Sequence, residues 1–361
     1  MLKIRKNLFS ILYRLVRFLT KNIVHAFQKL SLKDKDLESI VDFGDRNLIR
    51  VNNYIGRLAF KFKIPQGLET DLFGLRFQSP LVAASFKSEQ GLLDIWMKLG
   101  LGGATYKTVM KNERIGNNRP RLQQIRLERS QCLVNALGLP GSGVEAFTSE
   151  ILDSSLWEYN RPLGISVGGE NLNEYYSNFN KIEASINGHV PNMYFYELNI
   201  SCPNTDSGKC VGDDLLSIEK LVDHVRENCS SVISLKISPD WSDDHLKNIG
   251  DIIRARDKII VNAGNTQFKT INALGLKKGQ LPRNGGGLSG VAIFPRTLKM
   301  IHIFSDLKIP IMATGGISTI DHLRAAKQAG ANLFGMATAL IMDPYCIPKI
   351  NYQLYESLVD C

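Results

Sequence analysis

Residues 194–205 read YFYELNISCPNT, and this stretch indicates the architecture more clearly than any other part of the chain. It begins as an apolar run of strand length and passes directly into polar residues, among them Asn199, Cys202 and Asn204. In parallel α/β folds, functional side chains collect at the carboxyl ends of buried strands. We therefore interpret the stretch as a buried strand that delivers polar groups to a site.

Similar apolar runs, separated by longer amphipathic stretches, recur from residue 70 onward. This alternation predicts parallel strands joined by crossover helices. The eight predicted strands are residues 80–84, 102–106, 163–167, 194–198, 232–236, 258–263, 310–314 and 332–337.

Chemically distinctive residues stand at the carboxyl end of nearly every predicted strand. They are Ser85, Lys107, Thr108, Ser166, Asn199, Lys236, Asn265, Thr266, Gly315, Gly316 and Thr338. An open, doubly wound sheet would use only the ends at its switch point, whereas a closed barrel gathers all eight ends around one mouth. The sequence therefore predicts an α/β fold, a (β/α)8 TIM barrel, with its active site at that mouth.

Two glycine-rich runs, residues 285–290 and 315–316, bracket the seventh predicted strand. Glycine lets backbone N–H groups approach an anion closely, and phosphate sites in this barrel commonly follow strands seven and eight. The two runs thus predict a phosphate site. The chain has neither a G-x-G-x-x-G motif after its first strand nor a P-loop, so neither a dinucleotide-binding nor an ATP-binding fold is predicted.

The first 66 residues form a basic segment ahead of the predicted barrel, which we take as residues 67–361. The net charge of the chain is +9, and residues 1–30 hold seven Lys or Arg and no Asp or Glu. Apolar residues here recur at helical spacing, which predicts an amphipathic helical extension. Three interpretations remain open: a helix lying on anionic lipid, a mitochondrial presequence, or a helix packed on the barrel. The stretch lacks an apolar run of about 18 residues, so a membrane-spanning helix is not predicted.

The chain has six cysteines, and none stand at C-x-x-C spacing. Together with scattered histidines, this pattern predicts no zinc, iron–sulfur or other metal site. No secretory signal precedes the cysteines, which favours free thiols in a reducing compartment. The basic charge is confined to one helical segment without an aromatic platform for bases, so a nucleic-acid partner is not predicted.

The segment N-I-S-C-P-N-T, residues 199–205, closely resembles the active-site segment of dihydroorotate dehydrogenases. Four further segments resemble that family in the same order along residues 70–345: NALGLP at 135–140, VNAGNT at 261–266, GGLSG at 286–290 and ATGGI at 313–317. The resemblance implies an FMN enzyme that oxidises dihydroorotate to orotate in de novo pyrimidine biosynthesis, and it is compatible with a homodimer.

The resemblance also implies site residues, position by position. The orotate site would comprise Lys107, Asn135, the backbone of Leu137, Gly138 and Leu139, and Asn199, Asn204, Asn265 and Thr266. The FMN site would comprise Ala83, Ala84, Ser85, Thr108, Ser166, Asn199, Lys236, Gly290, Gly315, Gly316, Ala337 and Thr338. Cys202 matches the catalytic base of the family, with Lys107 and Lys236 as further catalytic residues.

These residue types suit the chemistry of orotate, which is a flat diamide with a carboxylate. Asparagine offers both a donor and an acceptor, so several asparagines can match a ring of alternating C=O and N–H groups. Lys107 can neutralise the carboxylate, and Lys236 can stabilise negative charge that develops on the flavin. A thiol ionises near pH ~8.5, so Cys202 is a far more accessible base than a serine hydroxyl.

The chain resembles two branches of the family that differ in their electron acceptor. The soluble branch uses a cysteine base and matches the segment ending in Lys107, whereas the membrane-bound, quinone-reducing branch uses serine, carries an N-terminal helical extension and matches the GGLSG run. We expect the acceptor to be a quinone. We expect the enzyme to be attached peripherally to a membrane through its N-terminal helix and to face a reducing compartment; the alternative locations are the mitochondrial inner membrane and the cytoplasm. Fumarate or another soluble oxidant is the rival. NAD reached through an iron–sulfur partner is a further form, although nothing in this chain would hold the cluster.

Two other functions stay open at this point. Related FMN barrels with a cysteine base reduce uracil or thymine, but those substrates lack the carboxylate that Lys107 would bind. A catalytically idle barrel could instead serve as a membrane-attached scaffold, but the set of ligand residues is complete. Both considerations favour dihydroorotate.

Overall fold

A computed structural model of the chain describes residues 2–32, 34–127, 130–201 and 210–359. The strands in chain order are β1 (Thr70–Leu72), β2 (Leu75–Phe77), β3 (Leu81–Ala83), β4 (Gly103–Val109), β5 (Leu122–Leu127), β6 (Ser130–Asn135), β7 (Leu163–Val167), β8 (Tyr194–Asn199), β9 (Val232–Lys236), β10 (Ile259–Ala263), β11 (Gln267–Thr270), β12 (Gly285–Gly290), β13 (Ile311–Thr314) and β14 (Leu333–Met336).

The helices in chain order are α1 (Leu2–Leu30), α2 (Glu38–Ala59), α3 (Gln90–Leu99), α4 (Gly143–Leu152), α5 (Leu172–Ile186), α6 (Leu215–Asn228), α7 (Asp243–Arg254), α8 (Phe294–Asp306), α9 (Ile320–Gln328), α10 (Thr338–Met342) and α11 (Cys346–Val359). Short 3-10 helices span Ser155–Tyr159, Val211–Asp213 and Val291–Ile293.

Eight parallel strands close into a barrel in the order β3-β4-β7-β8-β9-β10-β13-β14, and β14 pairs back with β3. The predicted TIM barrel is therefore confirmed. Seven strands agree with their predicted bounds within one residue. The exception is β4, which continues to Val109 because an irregularity between Tyr106 and Val109 lets the strand resume pairing with β7. Lys107 and Thr108 lie within that irregularity.

The barrel interior is filled in layers. The lowest layer is apolar, is closed from below by the β1–β2 hairpin, and contains Val82, Phe195, Val232, Ile260, Met312 and Leu333. Two residues further along their strands stand Glu197, Ser234 and Asn262, which are all fully buried. Side chains alternate along a strand, so these polar groups point into the same interior as the apolar layer. The barrel is thus apolar at its base and polar toward its mouth.

Helices cover the outer face of the barrel and bury the main apolar core against the strands. Several helices begin with a side-chain cap, as where Asn171 accepts a hydrogen bond from the Glu174 amide at the start of α5. Helix α3 ends at Gly100, whose φ of 112° only glycine adopts without strain. These signals fix the crossover helices that the alternating sequence pattern predicts.

Four strands absent from the sequence prediction form an antiparallel sheet in the order β11-β12-β6-β5. The glycine run 285–290 is strand β12 of this sheet, although it is not among the eight strands predicted from the sequence. A Cβ on Gly286 would lie 2.8 Å from the carbonyl oxygen of Asn135 on β6. Glycine in β12 therefore permits a close approach of neighbouring backbone, and that requirement looks the same in a sequence as a flexible turn.

The N-terminal extension consists of α1 and α2, and α1 packs on the barrel through polar and aromatic contacts. Ser10 donates a hydrogen bond to Asp343 at 2.6 Å, and Tyr13 donates to the carbonyl oxygen of Ile341 at 2.9 Å. Phe9 stacks on Tyr345 with ring centroids 5.9 Å apart. A helix packed on the barrel, one of the three open interpretations, is therefore observed.

The opposite side of α1 is apolar and exposed. Its exposed apolar residues are Ile4, Leu8, Ile11, Leu12, Leu15, Val16, Phe18, Leu19, Ile23, Phe27 and Leu30. Their spacing along the helix produces a continuous stripe. Within the described ranges, no helix has the length and apolar character needed to cross a bilayer.

Candidate active site

A cavity of about 790 Å³ opens at the mouth of the barrel. Its walls come from the carboxyl ends of the barrel strands, from the antiparallel sheet and from α2. The volume lies within the roughly 300–1,000 Å³ that is usual for small-molecule sites. The mouth is also where enzymes with this fold place their chemistry.

Most residues that the sequence assigned to the site lie on the walls of this one cavity. They are Ala84, Ser85, Lys107, Thr108, Asn135, Leu137, Gly138, Leu139, Asn199, Lys236, Asn265, Thr266, Gly290, Gly315, Gly316, Ala337 and Thr338. Ala83 and Ser166 are fully buried behind the wall. Cys202 and Asn204 lie outside the described residues.

A chain of hydrogen bonds links the ends of several strands across the floor of the cavity. Asn265 donates to the hydroxyl of Ser201 at 2.9 Å, and Ser201 donates to the side-chain oxygen of Asn199 at 3.2 Å. Asn199 in turn donates to the hydroxyl of Thr108 at 2.7 Å, which lies 3.0 Å from that of Ser166. The asparagines are thus held in fixed orientations before any ligand binds, which reduces the ordering cost of binding.

Lys107 supplies positive charge to the cavity. Its amide donates to the carbonyl oxygen of Lys87 at 3.0 Å, which fixes the backbone at the strand irregularity. Burial lowers the pKa of the Lys107 ammonium to about 8, and the neighbouring carboxylate of Glu89 opposes part of that shift. An anionic ligand group in the cavity would favour the charged form of this lysine.

The segment from Leu137 to Leu139 presents backbone to the cavity. Gly138 and Leu139 have φ values of 75° and 51°, so two consecutive residues adopt the left-handed region. Asn117 anchors the segment, since its amide donates to the carbonyl oxygen of Leu137 at 2.9 Å and its side chain to that of Ala136 at 2.8 Å. A bulky residue at Gly138 would collide with Asn117.

Lys236 lies on the cavity wall with its side chain only 8% exposed. Its ammonium donates a hydrogen bond to the hydroxyl of Ser85 at 2.9 Å. A buried ammonium at this place can stabilise negative charge on a bound group.

The groups around the cavity fit the expected FMN. Gly315 and Gly316 follow β13 with φ values of 132° and 77°, and a Cβ on Gly316 would lie 2.7 Å from the Cβ of Phe294. Backbone N–H groups freed from side chains in this way suit a phosphate. Lys236 supplies the positive charge that suits the electron-accepting end of a flavin. The residues present are therefore of the types that would hold the phosphate and the ring of FMN.

The N-terminal extension contributes an acidic side to the mouth. Glu38 accepts two hydrogen bonds from Arg121, at 2.8 and 2.7 Å, and Asp36 accepts one from Arg119 at 2.6 Å. Arg121 also donates to the carbonyl oxygen of Asn117 at 2.8 Å. The extension is thereby connected, through Arg121, to the residue that anchors the 137–139 segment.

Part of the cavity wall is apolar, where α2 packs against the barrel domain. Val41 of α2 lines it together with Leu122, Leu133, Ile341 and Met342 of the barrel domain. Because one wall of this region comes from the extension, the cavity connects the polar floor with an apolar compartment between the extension and the barrel.

Three residues that organise the site were not predicted from the sequence: Ser201, Glu197 and Arg121. Ser201 lies inside the motif 199–205, but the prediction assigned roles only to the asparagines and the cysteine of that motif. Glu197 offered a signal, because it is the single acid in the apolar run 194–198. Arg121 offered no local signal, since its role depends on Glu38, which is distant in sequence.

Comparisons with known proteins identify the barrel domain. The family model described as dihydroorotate dehydrogenase matches residues 67–358. A dihydroorotate dehydrogenase B (NAD(+)) catalytic subunit from Malacoplasma penetrans is 31% identical over 302 residues, which cover 81% of this chain and 92% of the relative. A putative dihydroorotate dehydrogenase A (fumarate) from Aquifex aeolicus is 30% identical over 312 residues, covering 81% of this chain and 95% of the relative.

A solved structure supports the same fold. The dihydroorotate dehydrogenase of Eimeria tenella in complex with ferulenol superposes with a TM-score of 0.74 at 18% identity, and the match covers 88% of this chain and 92% of that chain. The chain therefore belongs to the dihydroorotate dehydrogenase family of pyrimidine biosynthesis and is an FMN-dependent oxidoreductase.

Proposed function

We propose that the protein oxidises dihydroorotate to orotate at the barrel mouth and passes the electrons to a quinone. One observation carries the proposal: a single cavity joins an asparagine-rich floor, two lysines and glycine-rich backbone to an apolar compartment beneath the extension. The polar part suits a charged diamide and a flavin, and the apolar part suits a hydrophobic electron acceptor.

Substrate binding would use the preset floor of the cavity. Lys107 would pair with the carboxylate of dihydroorotate, because an ammonium in a desolvated cavity interacts strongly with an anion. Asn135, Asn199 and Asn265 would match the ring amides, each with both a donor and an acceptor. The backbone of the 137–139 segment would close the remaining side.

Cys202 would remove the proton from C5 of dihydroorotate. It directly follows Ser201, which lies in the hydrogen-bond chain of the floor. Bound FMN supplies the acceptor for the hydride that leaves C6. Lys236 would hold positive charge where negative charge develops, so it stabilises the transition state more than the ground state.

The apolar compartment supports a quinone as the acceptor. Val41, Leu133 and Met342 offer an apolar surface that a soluble dicarboxylate would not use. The exposed stripe of α1 supports peripheral attachment to a membrane, where quinones dissolve. An amphipathic helix that turns its polar side to the barrel leaves its apolar side for lipid.

A soluble acceptor is the second candidate. The relatives at 28–31% identity are named as NAD(+) or fumarate enzymes, and the cysteine in the active-site segment resembles that soluble branch. Fumarate or NAD+ would then replace the quinone, and the substrate site would be unchanged.

Substitution at the apolar end separates the two candidates. Met342→Lys places a charge in the compartment, so re-oxidation of the flavin by a short-chain quinone should fall at least about tenfold, because charge is costly to desolvate. Reduction by dihydroorotate should change less than about twofold, since it does not involve this region. Stopped-flow absorbance measures both half-reactions.

Leu152→Lys, at an exposed apolar residue of α4, is the matched control and should leave both half-reactions intact. Unchanged quinone reactivity in Met342→Lys would contradict a quinone in this compartment. Re-oxidation of the wild type by fumarate or NAD+, but not by quinone, would establish the second candidate instead.

A further inference from the structure

A carboxylate that the proposed chemistry does not use lies inside the barrel, below the cavity floor. Glu197 on β8 is fully buried and stands two residues along the strand from Phe195 of the apolar layer. A buried carboxylate is unfavourable unless charged or hydrogen-bonding partners compensate it. The partners of Glu197 therefore indicate what the group does.

Both oxygens of Glu197 accept hydrogen bonds. The hydroxyl of Ser85 donates to one oxygen at 2.5 Å, and the side-chain amide of Asn262 donates to the other at 2.6 Å. The ammonium of Lys236 lies 3.9 Å from the first oxygen. The carboxylate is thus tied to strands β9 and β10 and to the end of β3.

The direction of these bonds connects Glu197 to the cavity. A hydroxyl has one proton to donate, and Ser85 gives it to Glu197, so its oxygen accepts from Lys236. An ammonium has three protons, and one of them is used in this way. Ser85 and Lys236 both line the cavity, whereas Glu197 lies behind them. The carboxylate therefore contacts two residues of the cavity wall without lining the cavity itself.

We propose that Glu197 is a positioning residue that holds Lys236 against the flavin site and tunes the reduction potential of bound FMN. The inference rests on the proposed placement of FMN beside Lys236. A lone buried ammonium would stabilise reduced, negatively charged flavin strongly. The carboxylate behind it offsets part of that charge, and the potential stays low enough for electrons to leave toward the acceptor.

The isosteric variant Glu197→Gln tests this inference, and the local structure can accommodate it. The side-chain oxygen of Asn262 has no hydrogen-bond partner among the described residues, so rotation of that amide would offer an acceptor to the new glutamine. Ser85 could still donate to the glutamine oxygen. The variant removes charge while retaining shape.

The measured quantity is the midpoint potential of FMN bound to the whole protein, by anaerobic redox titration without substrate. In Glu197→Gln we expect the equilibrium constant for reduction of bound FMN to rise at least about tenfold. This rise corresponds to a positive shift of about 30 mV in the midpoint potential of a two-electron couple. If FMN is lost during purification, the protein can be titrated separately with oxidised and with reduced FMN. The ratio of the two dissociation constants gives the potential of bound FMN relative to free FMN, and the variant should change that ratio by the same factor. An unchanged potential would overturn the inference.

Glu183→Gln is the matched control, because Glu183 of α5 is also a buried glutamate but accepts a hydrogen bond from the hydroxyl of Tyr196 at 2.6 Å and does not line the cavity. It should leave the potential unchanged.

The double variant tests whether Glu197 acts through Lys236. In a Lys236→Gln background, Glu197→Gln should shift the potential by less than half as much, because no ammonium remains whose charge the carboxylate could offset. Equal shifts in both backgrounds would refute action through Lys236. A wild type that binds no FMN even when FMN is added would defeat the proposed function itself. A wild type that binds FMN, with a potential that Glu197→Gln leaves unchanged, would defeat only this inference.

Discussion

Lys107 makes the pH dependence of ligand binding predictable at the residue scale. Burial lowers its pKa to about 8, so the side chain is charged below that pH and loses its proton above it. Affinity for the orotate carboxylate should be constant below about pH 8 and fall by up to about tenfold per unit above it. Perturbation of the flavin spectrum by orotate measures the dissociation constant.

Lys107→Gln is the control for this profile. The variant should bind orotate weakly at every pH and lose the inflection near pH 8 that Lys107 produces. An inflection that persists in the variant would assign the titration to another group and remove Lys107 as the carboxylate partner.

Cys202 carries the second prediction at this scale. Cys202→Ala should retain FMN and orotate, but turnover should fall by roughly 10²–10⁴-fold, the range for loss of a general base. Cys210→Ala is the matched control, because burial raises the pKa of the Cys210 thiol to about 12 and leaves it un-ionised. Turnover of Cys202→Ala close to that of the control would show that Cys202 is not the base.

At the scale of single elements, α1 is the least usual feature. Its polar residues Ser10 and Tyr13 face the barrel, while its apolar stripe faces outward. Helices on globular proteins normally bury the apolar side, and a large exposed apolar patch marks an interaction surface. The exposed stripe of α1 is therefore the surface on which the proposed attachment to lipid rests.

The double variant Ile11→Glu with Leu15→Glu tests the α1 surface. Binding to vesicles that contain anionic lipid should fall at least about tenfold, because two apolar side chains are replaced by charges that anionic lipid repels. Co-sedimentation measures the bound fraction. Leu152→Glu with Leu216→Glu places the same charges at exposed apolar sites outside the extension and should bind as the wild type does. Equal binding by both double variants would exclude α1 as the attachment surface.

The strands of the barrel could be predicted from the sequence, whereas strand β12 of the antiparallel sheet could not. The barrel strands were predictable because each is a short apolar run followed by a distinctive polar residue, a local pattern. Strand β12 was not, because its pairing with β6 and β11 depends on segments far away in the sequence, and GGGLSG alone reads as a turn. The contact of Glu38 with Arg121 was hidden for the same reason.

For the whole molecule, the candidate site was more predictable than its surroundings. Polar strand ends meet at one mouth by the geometry of the barrel, so the sequence alone places Lys107, Asn199 and Lys236 in one group. The residues behind them could not, because Glu197 contacts the cavity wall through Ser85, and Ser201 is hydrogen-bonded to Asn199. Such roles arise from three-dimensional neighbours, which a pattern along one chain does not specify.

The most direct test of the central claim is an anaerobic titration of the purified protein with dihydroorotate, followed through the flavin absorbance near ~450 nm. The account predicts that the absorbance bleaches as dihydroorotate is added and returns when a quinone is supplied. A flavin that stays oxidised in the presence of excess dihydroorotate would contradict the proposed reaction.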